Sequence, residues 1–144
     1  MSPGDSDLMD LTHTPAAILP EAVHPVPENI FGPEPAHEWC YYYEKADLAR
    51  SLQDWPRVTA LADEAAASDF APQNGVELLP FIQAYAMQGQ WERALEASRQ
   101  VTQLTENMNR PVCKMWNRLA TEAPAEGRQP AVDAARAEFK CPVR

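Results

Sequence analysis

ARSLQDWPRV (residues 49–58) and YAMQGQWERA (residues 85–94) align with each other, and this pairing decides the predicted fold. In each stretch a tryptophan, Trp55 or Trp91, follows a short break and begins a new segment in which alanines recur. Apolar residues spaced three and four apart lie on one face of an α-helix. The alignment therefore predicts two helix–turn–helix units, over residues 37–68 and 75–107.

The residues expected on the inner faces of these four helices combine small side chains with a few large ones. The alanines among them let paired helices approach closely. The predicted inner residues are Trp39, Tyr42, Ala46, Ala49, Leu52, Val58, Leu61, Ala62, Ala65, Ile82, Tyr85, Ala86, Trp91, Ala94, Leu95, Ser98 and Val101.

Turn and cap residues mark the boundaries of the helices. The first helix is expected over about 35–52, and Asp54 is suited to cap the second. Asn74 and Glu77 resemble a capping box, but Pro80 follows closely, so the third helix either starts near Leu79 or is kinked there. Gly89 fits a left-handed terminator before the fourth helix.

Two further helices are predicted after the repeat. Pro111 is expected to start a helix over 111–121 and Pro130 a helix over 130–140, because proline is tolerated at the first helical position. Val112, Met115, Trp116 and Leu119 line the first of these, and Val132, Ala135 and Phe139 line the second. Both are shorter and less like the repeat, so we expect them to cap it.

Residues 1–36 differ sharply from the rest of the chain. They hold seven of the 14 prolines, six acidic residues and no Lys or Arg. Proline breaks helices and net acidity keeps a segment extended. The predicted architecture is therefore an all-α domain of about six helices at 37–144, preceded by an irregular, mostly disordered tail at 1–36.

Charge and hydropathy exclude two classes of partner. The net charge of −9 argues against general nucleic-acid binding, which needs basic density. The longest strongly apolar stretch, residues 78–82, is far too short to cross a bilayer, and no signal peptide opens the sequence. We expect a cytoplasmic or membrane-peripheral protein with no transmembrane segment of its own.

The three cysteines, Cys40, Cys113 and Cys141, form no CxxC pair. We expect free, buried thiols in a reducing compartment. A Cys113–Cys141 bridge is the alternative, since both residues lie in the C-terminal segment.

No pattern in the sequence indicates an enzyme, a cofactor or a metal. His37 and Cys40 are spaced to share a metal, but two ligands fall short of the four that a structural zinc site wants. We expect a histidine at a helix start and a core cysteine instead. Phosphate-binding loops, GxSxG and HExxH are absent from the sequence.

Residues 39–43 hold four aromatic side chains in five positions. We expect Trp39 and Tyr42 in the core, with Tyr41 and Tyr43 covering a neighbouring segment. The alternative is an aromatic patch that receives a peptide or a glycan.

The helix–GxW/DW–helix spacing resembles tetratricopeptide-like repeats, in which a small residue precedes an aromatic and alanine then recurs. Gly89, Trp91 and Ala94 carry the resemblance, with Gln53, Trp55 and Val58 at the equivalent positions. The resemblance implies stacked helix pairs whose first helices line a concave surface for a peptide or partner protein. Partner-binding residues expected there are Tyr43, Asp47, Arg50, Leu79, Gln83 and Met87.

A second resemblance covers about residues 36–121. HEWCYYYEKADLARSLQDW (37–55) and the run that follows it look like the C-terminal soluble region of bacterial multispanning membrane proteins similar to the dolichyl-phosphate-mannose-dependent protein mannosyltransferases. That resemblance implies an accessory domain of a membrane glycosyltransferase system, without the catalytic part.

Two hypotheses of function follow from the sequence. The first is a non-catalytic protein-interaction scaffold, and the second is the accessory domain beside a membrane glycosyltransferase. Arg110, Lys114 and Arg118 form a basic i, i+4, i+8 stripe, which suits the chain's own acidic tail, an acidic partner or anionic lipid headgroups but is also typical of a solvated helix face.

Overall fold

The computed structural model describes residues 27–33 and 36–142, and all regular secondary structure in these ranges is helical. The chain divides into two units, Met1–Ala36 and His37–Arg144. The described part of the first unit contains a single helical turn, Glu28–Phe31. The prediction of an irregular tail falls mainly on residues outside the described ranges.

Between residues 37 and 142, the described part of the second unit, the chain forms six α-helices, as the sequence predicted. Of the helices in the described part of the chain, none combines the length and the apolar character that crossing a bilayer requires. In chain order, the six helices of the second unit are α1 (Trp39–Ser51), α2 (Trp55–Ala67), α3 (Leu79–Met87, preceded by the 3-10 helix Gly75–Leu78), α4 (Trp91–Leu104), α5 (Asn109–Glu122) and α6 (Arg128–Glu138).

The first two helix pairs turn in the same way. Gln53 and Gly89, which the alignment makes equivalent, both have positive φ, 60° and 70°. The next residue in each turn donates its backbone N–H five residues back, from Asp54 to Ala49 at 2.9 Å and from Gln90 to Tyr85 at 2.8 Å. A left-handed residue is easy for glycine and costs a side-chain-bearing residue roughly 1–2 kcal/mol. The glutamine thus adopts the turn despite its Cβ.

Local sequence signals place the helix starts. The Asp54 carboxylate accepts the backbone N–H of Arg57 at 3.1 Å and caps α2. Asn74 and Glu77 form the predicted capping box, but on the 3-10 helix. Pro80 lies in the first turn of α3, so that helix starts at Leu79 instead of kinking.

Three predicted boundaries were wrong by a few residues. The first helix begins at Trp39 instead of near residue 35. Helices α5 and α6 each begin two residues before their proline, which occupies the third helical position. Proline is tolerated there because the first four N–H groups of a helix have no intrahelical acceptor.

The core runs continuously through all three pairs. Its largest fully buried side chains include Trp116, Phe81, Leu61 and Ile82. Leu52 was predicted inside but is 40% exposed, because α1 has already ended. Four other predicted inner residues are only half-buried against the core: Tyr42, Ala62, Trp91 and Met115. The indole N–H of Trp91 donates to the Glu126 carbonyl at 2.9 Å.

The third pair is part of the same packed core. Helix α5 contacts α3 and α4, and α6 contacts α4 and α5. Trp116 on α5 is fully buried and donates to the Ser98 hydroxyl on α4 at 3.0 Å. The two C-terminal helices thus extend the stack as a third pair.

The expectation of three free, buried thiols was wrong. Cys113 on α5 and Cys141 beyond α6 form a disulfide, with their Cα atoms 5.3 Å apart. Both are buried, whereas Cys40 is free and exposed instead of lying in the core. The bridge joins the end of the last pair to its own first helix.

Candidate binding groove

The residues predicted to bind a partner lie on two helices that contact each other, α1 and α3. We call this set the first-helix face: Tyr43, Asp47, Arg50, Leu79, Gln83 and Met87. Five of them are half-buried, and Gln83 is buried.

The polar groups of the first-helix face are mostly engaged already. Arg50 and Asp47 form an ion pair with 2.8 Å between Nη2 and Oδ1. Burial, followed by the nearby Asp47 charge, raises the pKa of the Tyr43 hydroxyl, which therefore stays neutral near pH 7. Gln83 is the exception, because its buried Oε1 accepts no hydrogen bond from the described residues.

The basic stripe on α5 is exposed along its whole length, as a stripe available to a partner would be. Nε of Arg118 lies 3.4 Å from Oε2 of Glu122, and Nη2 of Arg118 lies 3.3 Å from the sulfur of Met115. Arg110 and Lys114 make no ion pair within the described ranges. Whether the stripe binds an acidic partner stays a prediction.

Most aromatic side chains at the start of α1 pack against other side chains of the domain. Trp39 is buried, and Tyr42 lies half-buried with its ring 6.0 Å from that of Phe70. Tyr41 stacks on His37 at 3.6 Å, and Lys45 lies 4.7 Å from the Tyr41 ring centre.

A groove that the sequence did not predict lies between the second helices of the first two pairs, α2 and α4. Its cavity volume is about 350 Å³. We call it the α2–α4 groove. The walls come from α2, from the link 70–72 and from α4, while α3 and Trp39 form the floor. The lining residues are Trp39, Ala62, Asp63, Ala66, Phe70, Ala71, Pro72, Leu78, Phe81, Tyr85, Arg93, Glu96, Ala97 and Gln100.

Alanines create the space in the α2–α4 groove. Ala62 and Ala66 on α2 lie across from Ala97 on α4, and their side chains are too short to close the gap. Phe81 and Tyr85 from α3 fill the bottom and are almost fully buried. The result is an apolar channel with a polar rim, which is the usual composition of a binding site.

One end of the groove is fixed by Arg93. Its guanidinium donates to the carboxylate of Asp63 on α2 and, at 3.0 Å, to the hydroxyl of Tyr85 on α3. It also lies over the Tyr85 ring, 4.2 Å from the centre. Burial raises the pKa of Tyr85 despite this cation. Three helices are thereby joined at one end of the channel.

The other end continues past the link 70–72. A second cavity of about 320 Å³ shares Ala71, Pro72 and Gln100 with the first and adds Gln103 and Leu104. Leu104 is 44% exposed. The two cavities are neighbours along α4 and together line that helix from Arg93 to Leu104.

The side chains that line the groove are apolar at its floor and polar or charged at its rim. Its charged side chains are all in ion pairs, Asp63 with Arg93 and Glu96 with Arg99. In the described residues no three potential ligands come together in a way that would hold a metal ion. An elongated apolar channel with amide and carboxylate groups on its rim suits a polypeptide.

The sequence signal for the groove was present but was interpreted differently. Ala62 was predicted among the inner residues that let paired helices approach closely, and no role was predicted for Ala66 or Ala97. All three line the groove between α2 and α4, which belong to different pairs. The alignment alone does not distinguish contacts within a pair from contacts between pairs, because it does not fix the spacing between pairs.

No family model, curated protein or solved structure matches the chain. The resemblances to tetratricopeptide-like repeats and to protein-mannosyltransferase-like membrane proteins therefore stay predictions.

Proposed function

We propose that residues 37–142 act as a non-catalytic protein-interaction module, a tetratricopeptide-like stack of three helix pairs that binds an extended segment of a partner protein. The observation that carries the proposal is the α2–α4 groove, an elongated channel with an apolar floor and a polar rim.

The construction of the groove supports this function. Its floor belongs to the buried core, so Phe81 and Tyr85 hold their positions before any ligand arrives. Preorganisation of this kind reduces the conformational entropy that binding would otherwise cost. Because Arg93 joins α2, α3 and α4 at one end, the channel is also fixed in width there.

The first-helix face is the competing location for the binding site. Asp47 and Arg50 on that face are paired with each other, and Gln83 is too buried to reach a ligand without movement. The groove is the better site because Ala62, Ala66, Phe70 and Ala71 in its lining are open to a ligand without rearrangement. Variants on each surface distinguish the two.

The proposal is tested by selecting binding peptides from a random display library with the full chain. Ala66→Trp fills the groove, whereas Ala67→Trp adds the same side chain to the adjacent, equally exposed position outside it. Asp47→Arg alters the first-helix face. Circular dichroism melting curves establish that each variant is folded.

We expect selected peptides to lose binding with Ala66→Trp and to keep it with Ala67→Trp and Asp47→Arg. Binding that depends on Asp47 instead would move the site to the first-helix face. Failure to enrich any peptide that distinguishes the two tryptophan variants would overturn the groove as a binding site.

A further inference from the structure

The floor of the α2–α4 groove is aromatic and rigid. The rings of Trp39 and Phe81 lie 5.7 Å apart, and Tyr85 is held by Arg93 through both its hydroxyl and its ring. Phe70 adds a half-buried ring at the side. Among these rings Phe70 is the one open to a ligand, since Trp39, Phe81 and Tyr85 are at most 8% exposed. An aromatic ring suits flat, apolar groups such as proline rings, which lose little conformational entropy on binding.

The lining of the groove extends along α4. The cavity between α2 and α4, about 350 Å³, has room for only a few side chains at a time, and the second cavity adds Gln103 and Leu104 further along the same helix. A succession of small cavities suits the side chains of an extended segment, which advances further per residue than a helix.

The rim carries an excess of negative charge. Asp63 is balanced by Arg93, but Glu96 shares Arg99 with Glu138, so that two carboxylates face one guanidinium. The surrounding segment, residues 37–109, holds eleven acidic and five basic residues, a net charge of −6. A ligand with basic side chains complements this rim.

Two exposed amides line the channel beyond Glu96. The side chains of Gln100 and Gln103 make no hydrogen bond within the described part of the chain. A polyproline II backbone has no internal hydrogen bonds, so its carbonyl oxygens are available. Since proline has no N–H, such a ligand offers mainly acceptors, which glutamine amides satisfy as donors.

From these four features we infer that the ligand of the α2–α4 groove is a proline-rich segment of a partner protein that carries basic side chains and binds in the polyproline II conformation. This inference rests on the proposed function, since it names the chemistry of the segment that the same groove takes. The prolines lie against Phe70 and Ala66, and a basic side chain binds Glu96 beside Arg99.

Fluorescence anisotropy with the full chain and three labelled peptides of about 12 residues tests the inference. The first peptide is rich in proline and leucine and carries two arginines. The second has glutamates in place of the arginines, and the third has alanines in place of the prolines. Each is measured against wild type, Ala66→Trp, Glu96→Gln and Glu92→Gln, the last an exposed position on α4 outside the groove.

We expect the basic proline-rich peptide to bind tightest, to lose binding with Ala66→Trp, and to weaken about threefold with Glu96→Gln but not with Glu92→Gln. If the acidic or the proline-free peptide binds as tightly and remains sensitive to Ala66→Trp, the inferred chemistry is wrong while the proposed function stands. If no peptide from this set or from the display library is sensitive to Ala66→Trp, the proposed function itself fails. Self-association of the chain that Ala66→Trp abolishes would instead identify a second copy as the occupant and overturn the inference.

Discussion

The middle helix pair, α3–α4, and the last pair, α5–α6, are neighbours in the stack but are stabilised by different means. Helix α3 packs against α1, α2, α4 and α5, and every residue from Pro80 to Ala86 is buried. Helix α6 packs against α4 and α5 and buries only three of its residues, Ala131, Val132 and Ala135. Position in the stack thus decides how much apolar surface each pair buries.

In the last pair, a disulfide and polar contacts compensate for the smaller number of buried apolar residues. The Cys113–Cys141 disulfide joins α5 to the chain beyond α6, and Arg136 donates to the side chain of Asn117 at 3.2 Å. Arg99 on α4 binds Glu138 on α6 through two hydrogen bonds, of 2.7 and 3.0 Å. Such contacts stabilise the last described pair, in which α6 buries fewer apolar residues than α3.

The largest predicted effect concerns the middle pair. Phe81→Ala removes a ring that is 1% exposed and leaves a cavity beneath the groove. Large-to-small changes of this kind cost about 3–5 kcal/mol of unfolding free energy, to be measured by urea denaturation. Phe70→Ala, at a half-buried position, is the control and should cost clearly less. Equal losses would mean that burial does not set the stability of the middle pair.

The second prediction concerns the last pair. Reduction of the Cys113–Cys141 bridge, or the double change to alanine, should lower the free energy of unfolding by about 2–4 kcal/mol, since the bridge closes a loop of 28 residues in the unfolded chain. Cys40→Ala is the control and should have almost no effect, because Cys40 is free and exposed.

Thiol counting tests the same bridge directly. Denatured, unreduced protein should present one reactive thiol, that of Cys40. Because disulfides persist mainly in oxidising compartments, three reactive thiols in protein taken directly from its source would contradict the bridge and restore the original expectation.

The third prediction concerns the tight fit inside the middle pair. A Cβ atom at Gly75 would lie 2.5 Å from the backbone oxygen of Val101 on α4. Gly75→Ala should therefore force the 3-10 helix away from α4 and cost about 1–3 kcal/mol. Val76→Ala, at the next and exposed position, should stay within about 0.5 kcal/mol of wild type in the same thermal melts.

The sequence predicted local structure well and the arrangement of the pairs poorly. Asp54, the Asn74–Glu77 box and Gly89 act where they were predicted, because caps and turns depend on residues close in the chain. The close approach of Gly75 to Val101 and the groove above Phe81 depend on contacts between distant residues. A helical period contains no information about the spacing between pairs, so these features could not be predicted.

The fourth prediction has the opposite sign. Gln83 on α3 is buried, and its Oε1 has no donor among the described residues, which costs roughly 1–3 kcal/mol. Gln83→Leu should therefore stabilise the domain by about 1 kcal/mol. Gln88→Leu should destabilise the domain, because the Gln88 amide donates to the backbone carbonyl of Trp55 at 3.1 Å and to the hydroxyl of Thr59 at 3.0 Å. A destabilised Gln83→Leu variant would indicate that the amide has a partner and that the first-helix face needs it.

The smallest predicted effect is the pH dependence of the contact between α4 and α6. The hydrogen bonds from Arg99 lower the pKa of Glu138. A carboxyl whose pKa is lower in the folded state adds stability above its unfolded pKa, roughly 4.3, and this stability is lost as the pH falls through the folded value. Because both side chains are over a third exposed, we expect only about 0.5 kcal/mol.

Glu138→Gln should therefore melt slightly below wild type at pH 7 and together with it near pH 3. Glu126→Gln removes a carboxylate without an ion pair among the described residues and is the control, expected to match wild type at both values. If the melting difference for Glu138→Gln stays constant between these two pH values, the carboxylate contributes through packing alone. The disulfide would then be the dominant cross-link of the last pair.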